Sequence, residues 1–318
     1  MLKYYCLIMM ILSSSLFSIS NKKVEKLIAT DQLNEAEKII PSLKKFEQYY
    51  FTGLIENLKG NPEKAYFIME KALKLKDDDP DILYKTAKFL LSTDNSKDAN
   101  LPSGKEKVDK TFDFLKKGYK LNPKHKGLIF HLALEYQIVP WFYGGDDDET
   151  EKILSDTYKF DEEYSDLCKL RLFFFGGDMD DAGSFGEKCI EKYSLNPNFY
   201  FLTARSYFMR NMNDKGFEVL DRGISKIEST KLLSYYGNYS VKKKLNYDKG
   251  IEYLKRYLKL KDKINILDNQ PRLFRANYLL GKLYHLKNDY ENAKTYLKKS
   301  LELNPNYSKS KKLLIMIK

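Results

Sequence analysis

The chain has 318 residues, 43% of them hydrophobic and 31% charged, with a formal charge of +11. That balance is ordinary for a soluble protein with a real core. Its basic residues are scattered along the whole length with no block resembling a nucleic-acid arm, so nucleic-acid binding is not expected.

Residues 1–20 read as an export signal. Lys3 is the short basic start, Tyr4 to Leu12 the apolar run, and Ser18-Ile19-Ser20 offers small residues for cleavage before Asn21. Ser13, Ser14 and Ser15 leave that run short of the ~20 residues a membrane span needs, which argues against an uncleaved anchor. The expected location is therefore the periplasm or cell envelope. Without the signal the charge is still +10, because Lys3 is the only charge lost. Such an excess points to anionic partners or an anionic surface, or simply to lysines on solvated helix faces.

A degenerate first helix pair is expected over 21–43, with Ala36, Ile40 and Leu43 on its inner face and Pro41 cutting the second helix short. Thr30-Asp31 is its turn, with Asp31 placed to accept from the free amides of the second helix. From Ala65 a small residue recurs through Thr111, Thr150, Ala182, Gly216, Gly250 and Ala293. Two of these intervals are 34 residues and the others are 46, 39, 32 and 43, which implies insertions of loop composition. They fall at 93–107, 140–149 and 261–272. Leu170 and Asn238 occupy first-helix positions where a small residue is expected, and Tyr257 occupies a second-helix one.

The clearest unit runs from Phe274 to Tyr307. Gly281, Ala293 and Ser300 sit 12 and 7 residues apart, where two antiparallel helices would cross. Asn288-Asp289 supplies the turn, and Pro305 stops the second helix. With Tyr284 and Leu303-Asn304-Pro305, this spacing resembles the tetratricopeptide repeat. The resemblance implies an all-α solenoid, a right-handed superhelix of antiparallel helix pairs running to 307. The segment 308–318 would close it as a capping helix carrying Leu313, Leu314 and Met316. No Gly/Ser-rich linker divides the pairs, so one solenoid over 21–318 is expected.

In that family the first helices line a concave groove. Three residues before each first-helix small position stand Tyr50, Tyr84, Phe130, Leu167, Phe201, Tyr235 and Tyr278; one residue after it, Leu54, Lys88, Leu134, Arg171, Arg205, Tyr239 and Lys282. An aromatic row beside Arg171, Arg205 and Lys282 suits an extended, acidic, partly apolar protein or peptide. Some tetratricopeptide domains hold a chaperone's tail with lysines and asparagines. Asparagine is absent from the second set, so that activity is not expected.

Gly144-Gly145-Asp146 and Gly176-Gly177-Asp178 each follow an aromatic run, Trp141-Phe142-Tyr143 and Phe173-Phe174-Phe175. Glycine ends a helix in the left-handed conformation and aspartate caps the next one. Calcium binding by Asp146-Asp147-Asp148 lacks the alternating acidic loop with its closing glutamate. The same turns give a weak resemblance to the T-component family of TRAP transporters, exported partners of a substrate-binding protein. A transport accessory and a cell-envelope assembly scaffold are thus the alternatives to a general binding scaffold.

Cys168 and Cys189 read as buried thiols within one repeat. His125, His131 and His285 show no metal-ligand spacing, and no phosphate loop, nucleophile elbow or paired acid/base motif occurs. Neither a cofactor nor catalysis is expected. Homo-oligomerisation stays open.

Overall fold

Helix boundaries obey the local chemistry of the turns. In this computed structural model, which describes residues 21–317 except Asn95 and Asn269, a helix α1 over 21–29 leads into α2 (Leu33–Ile39). The expected export signal lies outside the described residues. Pro41 sits in a 3-10 turn, Ile40–Ser42, that ends α2 as expected. Asp31 turns with φ 63°. Its carboxylate is not the cap the sequence suggested: it accepts from Arg272 Nε at 2.6 Å and from the Leu273 N–H at 3.2 Å.

The chain forms two compact units, one holding residues 21–28 and 32–169 and the other 29–31 and 170–317. The boundary passes through the helix Glu162–Gly176 (α9). Among the described residues there is no strand. Both units are built of antiparallel helix pairs, so the chain is all-α with the helical-repeat architecture expected.

In the first unit the pairs are α3 (Lys45–Leu58) with α4 (Pro62–Leu73), α5 (Pro80–Leu91) with α6 (Gly104–Leu121), and α7 (Lys126–Ile138) with α8 (Asp147–Tyr158). Glu47 starts α3: its carboxylate accepts from the Lys44 N–H at 2.9 Å and from Asn21 at 2.6 Å. Asp79 caps α5 by accepting from the Asp81 and Ile82 amides, and Pro80 takes the first position, where its missing N–H costs nothing. The small residues expected at the crossings, Ala65, Thr111 and Thr150, are all buried.

The second unit holds the end of α9 and α10 (Met179–Lys192), then α11 (Pro197–Met209) with α12 (Asn213–Lys226) and α13 (Thr230–Lys243) with α14 (Tyr247–Lys259). α15 (Leu273–Leu286) pairs with α16 (Tyr290–Leu303), and α17 (Ser308–Met316) comes last. In the α13/α14 pair the sequence register is corrected by one residue. Gly237, not Asn238, meets the partner helix: a Cβ there would lie 2.3 Å from Leu254 Cγ. Tyr257, fully buried at its expected small site, donates its hydroxyl to the Pro271 carbonyl at 2.6 Å. The long 261–272 link is tied down by that bond.

Leu313 and Ile317 close over Ala293 and Leu297, and Ser310 Oγ donates to Ser300 Oγ in the buried seam. Met316, one of the apolar residues of the expected capping helix, is exposed. Cys168 and Cys189 are both buried. No helix among the described residues is long and apolar enough to cross a membrane.

Candidate functional site

The second unit brings half of the expected row together. Asn196 caps α11 through the Asn198 amide, Ser229 caps α13 through the Leu232 amide, and Arg272 precedes α15. These are the first helices of three successive pairs. Phe201 on α11 meets Tyr235 on α13 with ring centroids 3.8 Å apart. Tyr235 lies 6.0 Å from Tyr239, which stacks at 4.0 Å on the buried Phe208. On α15, Phe274 and Tyr278 both pack edge-on against Tyr307, at 4.9 and 5.4 Å. Phe201, Tyr235 and Tyr278 are half-buried.

Three cations stand beside these rings. The Arg205 guanidinium lies 4.6 Å over the Phe174 ring, and Lys242 Nζ lies 5.3 Å over Tyr239. Arg275, exposed on α15, is near enough to Tyr235, Tyr278 and Tyr307 to work against the rise in their pKa values. Burial lowers the Lys242 pKa, and the Arg275 and Arg205 charges lower it further. Burial pushes the Tyr235 phenol up to about 12, helped by Tyr239 and opposed by Arg205. Among the described residues, Arg205, Lys242 and Arg275 make no ion pair with a carboxylate. Asp268 also acts on Tyr235 but is paired with Lys231 at 2.8 Å, and cations held this close without carboxylate partners of their own favour an added anion.

The first unit uses its rings differently. Tyr50 donates to Asp81 Oδ2 at 3.0 Å, and His125 Nε2 lies 3.0 Å from Asp81 Oδ1. His125 Nδ1 accepts from the Leu128 N–H at 3.1 Å, which assigns the ring proton to Nε2 and makes it the donor to Asp81. Burial would raise the Asp81 pKa, yet the His125 and Tyr50 hydrogen bonds and the Lys85 charge hold it below the usual carboxylate range. Burial, and then Asp81, push the Tyr50 phenol well up. Tyr84 covers Gly127, where a Cβ would lie 2.6 Å from its ring, and touches His125 and His131. A cavity of about 200 Å³ beside Tyr50 is lined by Glu25, Glu47, Asp79 and Asp81. Its character is acidic, opposite to the cationic cluster on α11, α13 and α15.

The remaining expected residues are dispersed. Phe130 is half-buried beside His131, and Leu167 is buried. Arg171 is half-buried on α9. Lys282 is half-buried on α15 and, after burial, is the second influence lowering the His285 pKa. Reading only the positions three before and one after each small residue missed Lys242 and Arg275. They sit five after Gly237 and six before Gly281, on the same helical faces. Asp146 caps α8 as expected, accepting from the Asp148 and Glu149 amides after Gly144 turns left-handed at φ 102°. Asp178 does not repeat this, since its side chain makes no cap bond to α10. Among the described residues no three His, Cys, Asp or Glu side chains gather as a metal site would require.

Comparison with known proteins agrees with this architecture. The tetratricopeptide repeat model matches residues 274–307. The crystal structure of yeast Tom70 aligns with a TM-score of 0.52 at 17% identity, over 86% of this chain and 56% of that one. The chain thus spans little more than half the length of that relative. A tetratricopeptide repeat protein from Parabacteroides merdae aligns with a TM-score of 0.42 at 14% identity, over 95% of this chain and 98% of that one. No curated protein matches the chain. The chain carries a tetratricopeptide repeat, and its fold is that of tetratricopeptide-repeat proteins, a fold suited to protein or peptide partners.

Proposed function

We propose that this tetratricopeptide-repeat protein is a non-catalytic scaffold that holds an acidic, partly apolar segment of a protein partner against α11, α13 and α15. The supporting observation is the trio Arg205, Lys242 and Arg275, which lies beside half-buried rings and lacks carboxylate partners among the described residues. Arginine offers a planar fork to carboxylates, and its face stacks on aromatic rings. Phe201, Tyr235 and Tyr278 would cover the apolar part of the segment. Their helices are already packed, so the partner alone bears the ordering cost. The reading places the protein in the periplasm or cell envelope, on the strength of the N-terminal basic and apolar run.

Affinity purification from the envelope fraction tests it. The wild-type chain and an Arg205→Glu, Arg275→Glu variant are compared by mass spectrometry of what each retains. The expected result is a partner with an acidic segment, kept by the wild type and lost by the variant. A partner retained equally by both overturns the reading. If the partner is a solute-binding protein, the scaffold is a transport accessory; envelope assembly machinery would instead make it an assembly scaffold.

A further inference from the structure

The loop between α7 and α8 displays the sole tryptophan of the chain to solvent. Trp141 is 83% exposed and Phe142 61%, and their rings meet edge to face at 5.7 Å. The loop is fixed by its own backbone. The Tyr143 and Gly145 amides donate to the Pro140 carbonyl at 2.8 and 3.2 Å, and the Asp146 amide donates to the Tyr136 carbonyl at 2.9 Å. Gly145 is required there, because a Cβ would lie 1.6 Å from the Val139 carbonyl oxygen. The backbone that carries the rings is therefore already ordered, which lowers the cost of binding. Asp147, Asp148 and Glu149 come immediately after, on the first turn of α8. An exposed aromatic pair of this kind marks a contact surface. The acidic run beside it disfavours an anionic lipid surface and favours a cationic, ring-lined receptor.

The α11, α13 and α15 face of this chain carries rings and cations of that character. We infer that the Trp141–Glu149 hairpin of one copy docks into the α11, α13 and α15 groove of a second copy. Trp141 and Phe142 lie against the Phe201 and Tyr235 rings, and Asp147 and Asp148 meet Arg205 and Arg275. The inference rests on the groove's proposed role in holding an acidic segment, and it supplies one occupant for that groove. A tryptophan beside an arginine adds a cation–π contact to the buried area. The contact joins two different surfaces, so it propagates head to tail and leaves a free hairpin and a free groove at the ends.

Sedimentation velocity over a concentration series tests this with the full chain. Association should rise with concentration, and emission from Trp141 should shift to the blue as the indole leaves water. A Trp141→Ala, Phe142→Ala variant and an Arg205→Glu, Arg275→Glu variant should each stay monomeric. An equimolar mixture of the two should form a dimer and nothing larger, because it contains one intact hairpin and one intact groove per pair. A wild-type monomer at every concentration, or association that survives in either variant, overturns the proposal. So does a mixture that stays monomeric. Titration of an unrelated acidic peptide separates this from the groove reading. If the wild-type chain is monomeric yet binds an unrelated acidic peptide through Arg205 and Arg275, the groove reading stands and self-docking fails.

Discussion

The rings of Phe201 on α11 and Tyr235 on α13 meet 3.8 Å apart although one 34-residue period separates them in sequence. Equivalent positions of neighbouring repeats thus share one wall, and each ring is both packing and surface. Replacing Phe201 by Ala removes that contact and should cost about 2 kcal/mol, less than for a fully buried phenylalanine. Tyr235→Phe keeps the ring and should stay within about 0.5 kcal/mol of wild type. Urea unfolding monitored by circular dichroism measures both.

The register of the α13/α14 pair makes a sharper prediction. A Cβ at Gly237 would collide with Leu254, whereas Asn238 is only half-buried. Gly237→Ala should lose about 1–3 kcal/mol through overpacking, and Asn238→Ala should change little. The opposite order of stabilities would restore the register read from sequence.

Tyr257 reaches out of its helix pair to hold the 261–272 link through the Pro271 carbonyl. Tyr257→Phe removes the donor and leaves that carbonyl to find another, at a cost of about 1 kcal/mol. Limited proteolysis should then cut within 261–272 sooner than in the wild type. Unchanged cleavage would mean that the hydroxyl does not restrain the link.

Glu135 on α7 is almost fully buried, and that burial pushes its carboxyl up to about 7. A raised acid pKa means that the folded chain keeps a proton which the unfolded chain releases. Stability should therefore fall as pH rises from about 4.5, the usual value, to about 7, and then level off, with a loss of order 2–3 kcal/mol. Glu135→Gln should abolish that slope and be the more stable form at pH 8. Urea midpoints between pH 4.5 and pH 8 read it directly.

Much of the architecture was legible because small residues must sit where helices cross. Ala65, Thr111, Thr150, Ala182 and Ala293 all proved buried, and the expected loops at 93–107, 140–149 and 261–272 separate helices or extend their ends. What local pattern could not give was side-chain direction across repeats. Asp31 and Asp178 look alike as caps, but the first pairs with Arg272 and Leu273 and the second makes no cap bond. Tyr50 and Tyr84 resemble Phe201 and Tyr235 by position, yet one bonds to Asp81 and the other covers Gly127. Lys242 and Arg275 became visible only when neighbouring helices placed them beside the rings.

Titration of a fluorescent acidic peptide containing one aromatic residue tests the account most directly. The wild-type chain should bind it, weakening as salt rises, because the attraction is between charges partly open to solvent. Arg205→Glu with Arg275→Glu should lower the affinity at least tenfold, while Lys116→Glu on α6 should leave it unchanged. Equal affinity for the wild type and the groove variant would contradict the account.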